Sequence, residues 1–135
     1  MKILRVLLLL LVFGPALSAQ SFTSLEEALE QPEAVVELDL SGQNLRRLDP
    51  RVASFRNLTT VNLDENAFAK FPAALLRLPK LEEISIAENR LTSVPQSLRK
   101  MKQLTFLDLR GNAIPEAKIR DIREVLEDVS EILTD

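Results

Sequence analysis

The sequence predicts an α/β solenoid, in which stacked repeats place their strands side by side in one parallel β-sheet. One pattern, apolar-x-x-apolar-x-apolar-x-x-Asn/Gln-x-apolar, recurs with a constant 23-residue period. A period in this range is typical of solenoids, whose units bury their apolar faces against their neighbours. Within each copy apolar and polar residues alternate, which indicates a strand with one buried face. The four copies begin at Val35, Leu58, Leu81 and Leu104.

The N-terminal segment is typical of a secretory signal peptide. Two basic residues precede an apolar run from Val6 to Phe13, and small residues follow. This order predicts cleavage after Ala19, or after Ser18. The run is shorter than the roughly 20 apolar residues of a membrane-spanning helix, so an uncleaved anchor is the weaker alternative. We therefore expect residues 1–19 to be removed and residues 20–135 to be exported to the periplasm, the cell surface or the medium.

The charge balance and the missing residue types exclude several classes of function. Removing Lys2 and Arg5 from the 17 basic residues leaves 15 against 20 acidic ones, a net charge of −5. Nucleic acids and anionic membranes select basic patches, so neither is expected as a partner. The sequence has no cysteine and no histidine. It therefore has no disulfide, no thiolate metal site and no Cys–His pair, and we expect neither a metal ion nor a cofactor.

The residues before the first repeat predict a short helix. Thr23 and Ser24 each stand three residues before a glutamate, which is the capping-box pattern. The helix should run from about Leu25 to Glu30, and Pro32 lies just beyond its end. Because residues 20–34 precede the first strand, we expect them to cover the open end of the core.

The second half of each repeat predicts a tight return segment rather than a long helix. The repeats span residues 35–57, 58–80, 81–103 and 104–126. Proline near the start of the return, as Pro72 and Pro95, favours a turn followed by a short 3₁₀ or helical piece. Apolar residues recur in the returns and should point inward. They are Leu48, Phe71 and Val94, then Val52, Leu75 and Leu98, then Phe55, Leu78 and Met101.

The pattern breaks within the fourth repeat and predicts a C-terminal cap of residues 115–135. Pro115 is placed to start a longer amphipathic helix. Ile132 falls one repeat length beyond Leu109, which predicts a last short strand at 131–133. Such a cap is needed because an open last repeat would expose its core and its sheet edge. The apolar face of the helix carries Ile119, Ile122, Val125 and Leu126.

These residues resemble the leucine-rich repeat family. The family spelling Leu-x-x-Leu-x-Leu-x-x-Asn-x-Leu-x-x-Leu-Pro-x-x-Leu-x-x-Leu is met nearly in full by residues 58–78 and 81–101. The first repeat departs from it at Gln43 and at Asp49, which takes the proline position, and the fourth departs after Ile114. The resemblance implies a right-handed solenoid with a concave parallel sheet, and protein recognition through that concave face.

Both ends of the domain resemble the small exported bacterial members of the family with 23-residue repeats. The similarity lies in residues 24–43 and in the tail 112–123. Animal extracellular members usually carry cysteine-rich caps, which this chain lacks. The resemblance therefore favours a bacterial source.

One amide side chain follows each predicted strand. An asparagine amide carries donors and an acceptor, and buried backbone groups at a strand end need partners. We therefore interpret these residues as a structural ladder rather than as an active site. Glutamine is longer by one methylene, and it stands in the first repeat, where a looser fit costs less. The ladder consists of Gln43, Asn66, Asn89 and Asn112.

The solvent face of the sheet is the candidate binding site. Five of its twelve residues are acidic and one is basic, which predicts a protein partner with a basic surface. Asp39 and Asp108 are of a type depleted in strands, which favours a binding role. The alternative is that these charges only keep the sheet soluble and block edge pairing. The candidate residues are Glu37, Asp39, Thr60, Asn62, Asp64, Glu83, Ser85, Phe106, Asp108 and Arg110, beside Ser41 and Ala87.

Phe106 is the only aromatic residue among these outward positions. An aromatic ring among polar residues is typical of a binding hot spot. The matching position one repeat later is Val129, so packing of Phe106 under the C-terminal cap is an equal alternative.

The carboxylates of this face do not predict an enzyme. Glu37 and Glu83 lie two strands apart, roughly 10 Å, which is beyond the spacing of paired glycosidase carboxylates. An open face also does not desolvate a carboxyl enough to raise its pKa for acid catalysis. We expect a binding module; the alternatives are an accessory subunit that docks through its edge or convex side and, more remotely, a carboxylate-based hydrolase.

Overall fold

The computed structural model describes residues 19–135, which form one sheet of six parallel strands. The predicted signal peptide lies outside the described residues, apart from Ala19. The strands follow one another in the sheet in sequence order, so each repeat returns to lie beside the one before it. This confirms the α/β solenoid with a parallel sheet. The strands are β1 (Gln20–Phe22), β2 (Val35–Asp39), β3 (Thr60–Asn62), β4 (Glu83–Ser85), β5 (Phe106–Asp108) and β6 (Glu131–Leu133).

Two α-helices stand at the ends of the solenoid. The first, α1 (Leu25–Glu30), has the predicted bounds, and the Ser24 hydroxyl accepts a hydrogen bond of 3.4 Å from the Glu27 amide. The second, α2 (Glu116–Val125), follows Pro115 at its N-cap. Neither helix is long and apolar enough to cross a membrane, and none in residues 19–135 is.

Short 3₁₀ helices form the returns, as predicted. They span Pro50–Ser54, Ala73–Arg77 and Gln96–Lys100, and a further one, Pro32–Ala34, precedes β2. One residue stands directly before the N-cap of each of the three 3₁₀ helices in the repeats. These residues were expected to point inward, but they are only half-buried. They lie at the margin of the core, where the chain turns from the sheet into the return. These residues are Leu48, Phe71 and Val94.

A single apolar core fills the space between the sheet and the returns. Its fully buried members come from every repeat, because each unit contributes strand and return residues at the same positions. α2 covers the last repeat with Ile122 and Leu126, which are 7% and 3% exposed, whereas Ile119 is only half-buried. The largest fully buried side chains include Phe55, Phe68, Leu38, Leu63, Leu81 and Ile86.

The sheet is wider than the four or five strands that the repeat pattern predicts, because β1 adds a strand before the first repeat. β1 is three residues long, and only Phe22 in it is buried. Its pairing with β2 shifts register between Gln20 and Ser21. One apolar residue in three gives no detectable alternation, which is why the sequence does not reveal this strand.

The last strand has the predicted bounds but a different register. The 23-residue spacing predicted that Ile132 would take the position equivalent to Leu109, but it pairs with Leu107. The ten-residue α2 replaces a five-residue 3₁₀ return, so the last unit is longer than the repeats before it. Consequently Glu131, not Val129, is the residue beside Phe106. The expectation that Val129 would take the position matching Phe106 is therefore wrong.

Candidate functional site

The side chains on the strands that alternate away from the core form two parallel rows, which we call the outer sheet face. In the first row neighbouring Cα atoms are paired across β2 to β6. It carries Glu37, Thr60, Glu83, Phe106 and Glu131. The second row lies two residues further along each strand and carries Asp39, Asn62, Ser85, Asp108 and Leu133.

Behind this face, the asparagine side chains join adjacent repeats. Asn89 is 8% exposed, and its Oδ1 accepts a hydrogen bond of 3.0 Å from the Phe68 amide. Its Nδ2 donates to the carbonyls of Leu63, Ile86 and Ala87 at 2.9 to 3.2 Å. One amide thus satisfies backbone groups of its own repeat and of the preceding one.

The four ladder positions differ in how deeply they are buried. Asn66 repeats the pattern of Asn89 and accepts from the amides of Gln43 and Leu45 at 3.1 and 2.8 Å. Asn112 is half-buried and accepts from the Leu91 amide at 2.9 Å. The Gln43 side chain is exposed and donates instead to the carbonyl of Thr23, at 3.0 Å.

The second row of the outer sheet face makes hydrogen bonds that the sequence does not predict. Oδ1 of Asp39 accepts from the amide of Ser41 at 2.9 Å, and Oδ1 of Asn62 accepts from the amide two residues later at 3.0 Å. Asp108 makes the same bond at 3.1 Å. Short acidic and amide side chains commonly bond the backbone two residues on. Local turn chemistry therefore explains Asp39 and Asp108 in strands, and their type alone does not argue for a partner.

At β4, the amide two residues after the second-row residue donates to a side chain of the preceding repeat. The Ser85 hydroxyl does not accept from the amide two residues on, and Asp64 of the preceding repeat supplies the acceptor. Its Oδ1 accepts from the Ser85 hydroxyl and from the Ala87 amide, both at 2.7 Å. The carboxylate of Asp64 is therefore engaged within the sheet.

Asp108 was expected to face solvent, but it is only 3% exposed. Leu133 lies beside it on β6, and the Arg110 side chain folds over its carboxylate. Nε and Nη2 of Arg110 donate to the two carboxylate oxygens, the shortest contact being 2.6 Å. Burial raises the pKa of Asp108, but the hydrogen bonds and charge of Arg110 outweigh burial and hold this pKa below its ordinary value. Arg110 itself is 55% exposed, so the pair presents a guanidinium outward.

The first row keeps its functional groups available. Glu37 and Glu83 are exposed, and within residues 19–135 their carboxylates have no hydrogen-bond or ion-pair partner. Phe106 is half-buried and does not belong to the core cluster. It lies directly between Glu83 and Glu131 on the neighbouring strands. The row therefore presents an aromatic ring flanked by carboxylates.

No group of three or more Asp or Glu side chains in residues 19–135 could hold a metal ion. Three of the carboxylates, those of Asp39, Asp64 and Asp108, already accept hydrogen bonds from backbone amides of the chain itself.

The protein-family comparison matches residues 56–114 to the leucine-rich repeat model. Among curated proteins, the chain is 37% identical over 110 residues to the alpha subunit of geranylgeranyl transferase type 2 of Bos taurus. That alignment covers 78% of this chain and 19% of the subunit. The chain is also 35% identical over 96 residues to nephrocan of Mus musculus, an alignment that covers 70% of this chain and 18% of nephrocan. The chain thus spans about a fifth of the length of the curated relatives it matches.

The same fold is found among solved structures. A leucine-rich repeat protein of Leptospira interrogans superposes with a TM-score of 0.71 and 28% identity, over 83% of this chain and 28% of the other. Internalin C2 of Listeria monocytogenes superposes with a TM-score of 0.59 and 16% identity, over 87% of this chain and 59% of the other. The second likeness concerns the fold alone.

Proposed function

Because the chain is a leucine-rich repeat protein, a class of protein–protein interaction modules, we propose that it binds another protein through the outer sheet face. The observation that carries this proposal is the first row, where Phe106 stands between carboxylates that have no partner within residues 19–135. An aromatic residue in a polar rim is the usual form of a hot spot. Because Phe106 is outside the core, its ring is available for such contacts.

The charge of the face indicates the chemistry of the partner. With Glu131 included, the two rows and Asp64 carry six carboxylates, and Arg110 is paired to one of them. A partner with lysine or arginine around an apolar side chain would complement both the carboxylates and Phe106. Attraction between exposed charges is screened by salt, so binding should weaken as ionic strength rises.

The size of the face requires the partner to cover Phe106. The two rows cross five strands, β2 to β6, about 4.8 Å apart, which gives a face roughly 19 Å wide. A standard interface takes about 800 Å² of each protein. A partner of that footprint would contact most of both rows, including β5. The same geometry supports contacts at Glu37, Thr60 and Glu83, which lie on the three preceding strands.

The test uses the partner captured by the purified protein and identified by crosslinking. Calorimetry should give binding weaker by about 1–2 kcal/mol for Phe106→Ala, while a urea melt of the same variant changes little. Glu83→Lys should also weaken binding, and Glu124→Lys, the same charge change on the exposed side of α2, should not. Lost stability of Phe106→Ala with unchanged affinity would assign the ring to folding and remove it from the site.

On this proposal the protein acts outside the cytoplasm. The support is the basic, apolar and small-residue order of residues 1–19, which is typical of an export signal. Fractionation of expressing cells should recover a shortened chain beginning near Gln20 outside the cytoplasm. Recovery of the full-length chain in the cytoplasm alone would contradict export.

The face is proposed to bind without catalysing a reaction. General acid–base catalysis needs a carboxyl that is held within reach of the substrate and poised to transfer a proton. Asp39, Asp64 and Asp108 are held by the chain's own donors, and Glu37 and Glu83 stand on an open face. Turnover of a peptide or glycan library by the purified protein would contradict this.

A further inference from the structure

The charges of the solenoid are segregated between its two sides. The strand halves, residues 35–45, 58–68, 81–91 and 104–114, contain eight acidic and two basic residues. The return halves, residues 46–57, 69–80 and 92–103, contain ten basic residues and one acidic residue, Asp49. The molecule therefore carries a basic side although its net charge is negative.

A groove opens on this basic side between the first two returns. It has a volume of about 430 Å³. Arg46, Arg47 and Lys70 line it together with the half-buried side chains of Leu48 and Phe71. We call it the return groove. A neighbouring groove of about 370 Å³ also has Lys70 and Phe71 in its lining, so the depression extends toward the third return.

The cations of the return groove have no partner in the described part of the chain. No carboxylate of residues 19–135 lies within ion-pair distance of Arg46, Arg47 or Lys70. By contrast, Arg51 contacts Asp49, and other basic residues of the returns lie away from the groove. The positive potential around the groove is therefore not neutralised locally.

We propose that the return groove is a second interaction site, which binds an acidic peptide segment carrying a large apolar side chain. Arginine forks bind carboxylates in bidentate fashion, which fits Arg46 and Arg47 at the rim. Leu48 and Phe71 offer an apolar floor for the neighbouring side chain of the peptide. This site is independent of the outer sheet face, whose charge has the opposite sign.

A narrow peptide fits better than an extended anionic surface. The apolar floor lies inside a groove, which a flat membrane or the broad outer sheet face of a second copy would not fill. The net charge of the whole chain is negative, which opposes approach to a large polyanion. A short segment meets only the local cations, since charges further away are screened beyond about 10 Å.

The test is a selection from a displayed library of random peptides about ten residues long, made against the purified protein. Wild type should enrich peptides that combine Asp or Glu with a large apolar residue. Two charge-reversal variants are titrated with an enriched, fluorescent peptide. Arg46→Glu with Lys70→Glu alters the groove, whereas Arg99→Glu with Lys100→Glu makes the same charge change on the third return, outside it.

The groove variant should bind the peptide at least about tenfold more weakly, and the control variant within about twofold of wild type. Replacing the apolar residue of the peptide by serine should also weaken binding, and Phe106→Ala should leave it unchanged. The charge-reversal variants replace exposed side chains, so their urea melts should coincide with that of wild type.

Several results would overturn the proposal. Equal weakening by both charge-reversal variants would mean diffuse attraction to the basic side rather than a groove. A selection that enriches no acidic peptides would mean that the groove does not bind the proposed ligand. Binding to phosphatidylserine vesicles without peptide binding would mean that the basic side recognises a membrane rather than a peptide. Self-association of the wild type that the groove variant abolishes would mean that the groove binds a second copy of the chain.

Discussion

At the scale of single residues, two polar positions at the end of each strand satisfy different parts of the backbone. In the second to fourth repeats the ladder amide serves carbonyls and amides of two repeats, as Asn89 does. In three of the four repeats the second-row side chain serves the amide two residues on, as Asp39 does, whereas in the third repeat Asp64 serves the Ala87 amide. The sequence indicated the first role, because a buried strand end needs partners. It did not indicate the second, because an outward aspartate at a turn and an outward aspartate at a binding site look alike in a sequence.

Removal of a buried ladder amide should destabilise the fold. Asn89→Ala would leave the buried Phe68 amide without its acceptor, at a cost of about 1–3 kcal/mol, whereas the Leu63 carbonyl would keep its hydrogen bond from Asn66. Gln43→Ala is the matched control at the same repeat position. Its side chain is exposed and makes one hydrogen bond, so it should cost less than about 0.5 kcal/mol. Urea melts of both variants measure this, and equal costs would contradict the assignment of the ladder.

Acidification should remove the contribution of the Asp108–Arg110 pair. The pKa of Asp108 is lower in the folded chain than its ordinary value of 3.8. A carboxyl shifted in this direction stabilises the fold above its unfolded pKa, and the contribution is lost as the pH falls through the folded pKa. We expect Asp108→Asn to cost about 1 kcal/mol at neutral pH, a value kept low because Arg110 is 55% exposed.

The measurement is a series of urea melts from neutral pH down to about pH 2, which crosses the unfolded pKa. The stability difference between wild type and Asp108→Asn should shrink as the pH falls below about 4, because the unfolded carboxyl takes up its proton before the folded one does. In an Arg110→Gln background the same substitution should no longer be destabilising. A difference that is constant over the whole pH range would contradict the charge pairing.

At the scale of elements, repeats were easier to predict than the caps. Strands and returns inside the solenoid repeat the same apolar positions, so each is supported by its equivalents. β1 occurs once, contains one buried residue, and was not predicted. β6 was predicted, but its register was not, since the number of residues that α2 takes up cannot be read from the repeat period. Each cap occurs once, so no equivalent positions elsewhere in the chain support its prediction.

α2 should stabilise the last repeat through its buried side chains. Leu126, at the C-cap of α2, is 3% exposed, and Leu126→Ala should cost about 2–4 kcal/mol through lost burial and a residual cavity. Ile119 lies on the same helix but is half-buried and outside the core cluster, so Ile119→Ala should cost less than half as much. Thermal and urea melts compare the two. A larger loss from Ile119→Ala would mean that α2 packs through another face.

At the scale of the whole molecule, one core supports two surfaces of opposite charge. The sequence predicted the acidic sheet, because alternation assigns each strand residue to a face. It did not predict the return groove, since Arg46 and Lys70 belong to different repeats and meet only when the returns stack. It also did not predict which carboxylates are free, because the bonds of Asp64 cross from one repeat to the next. Contacts between repeats depend on stacking geometry, which a repeat pattern alone does not specify.

Recognition through the outer sheet face is tested most directly by photocrosslinking at defined positions. A photoreactive residue would replace Glu37 or Glu83, which lie in the first row two strands apart, roughly 10 Å. The control would replace Lys100, an exposed residue of the third return. We expect the two outer positions to trap the same protein from the producing organism, and the control to trap none of it. Adducts from position 100, with none from positions 37 and 83, would contradict recognition by this face.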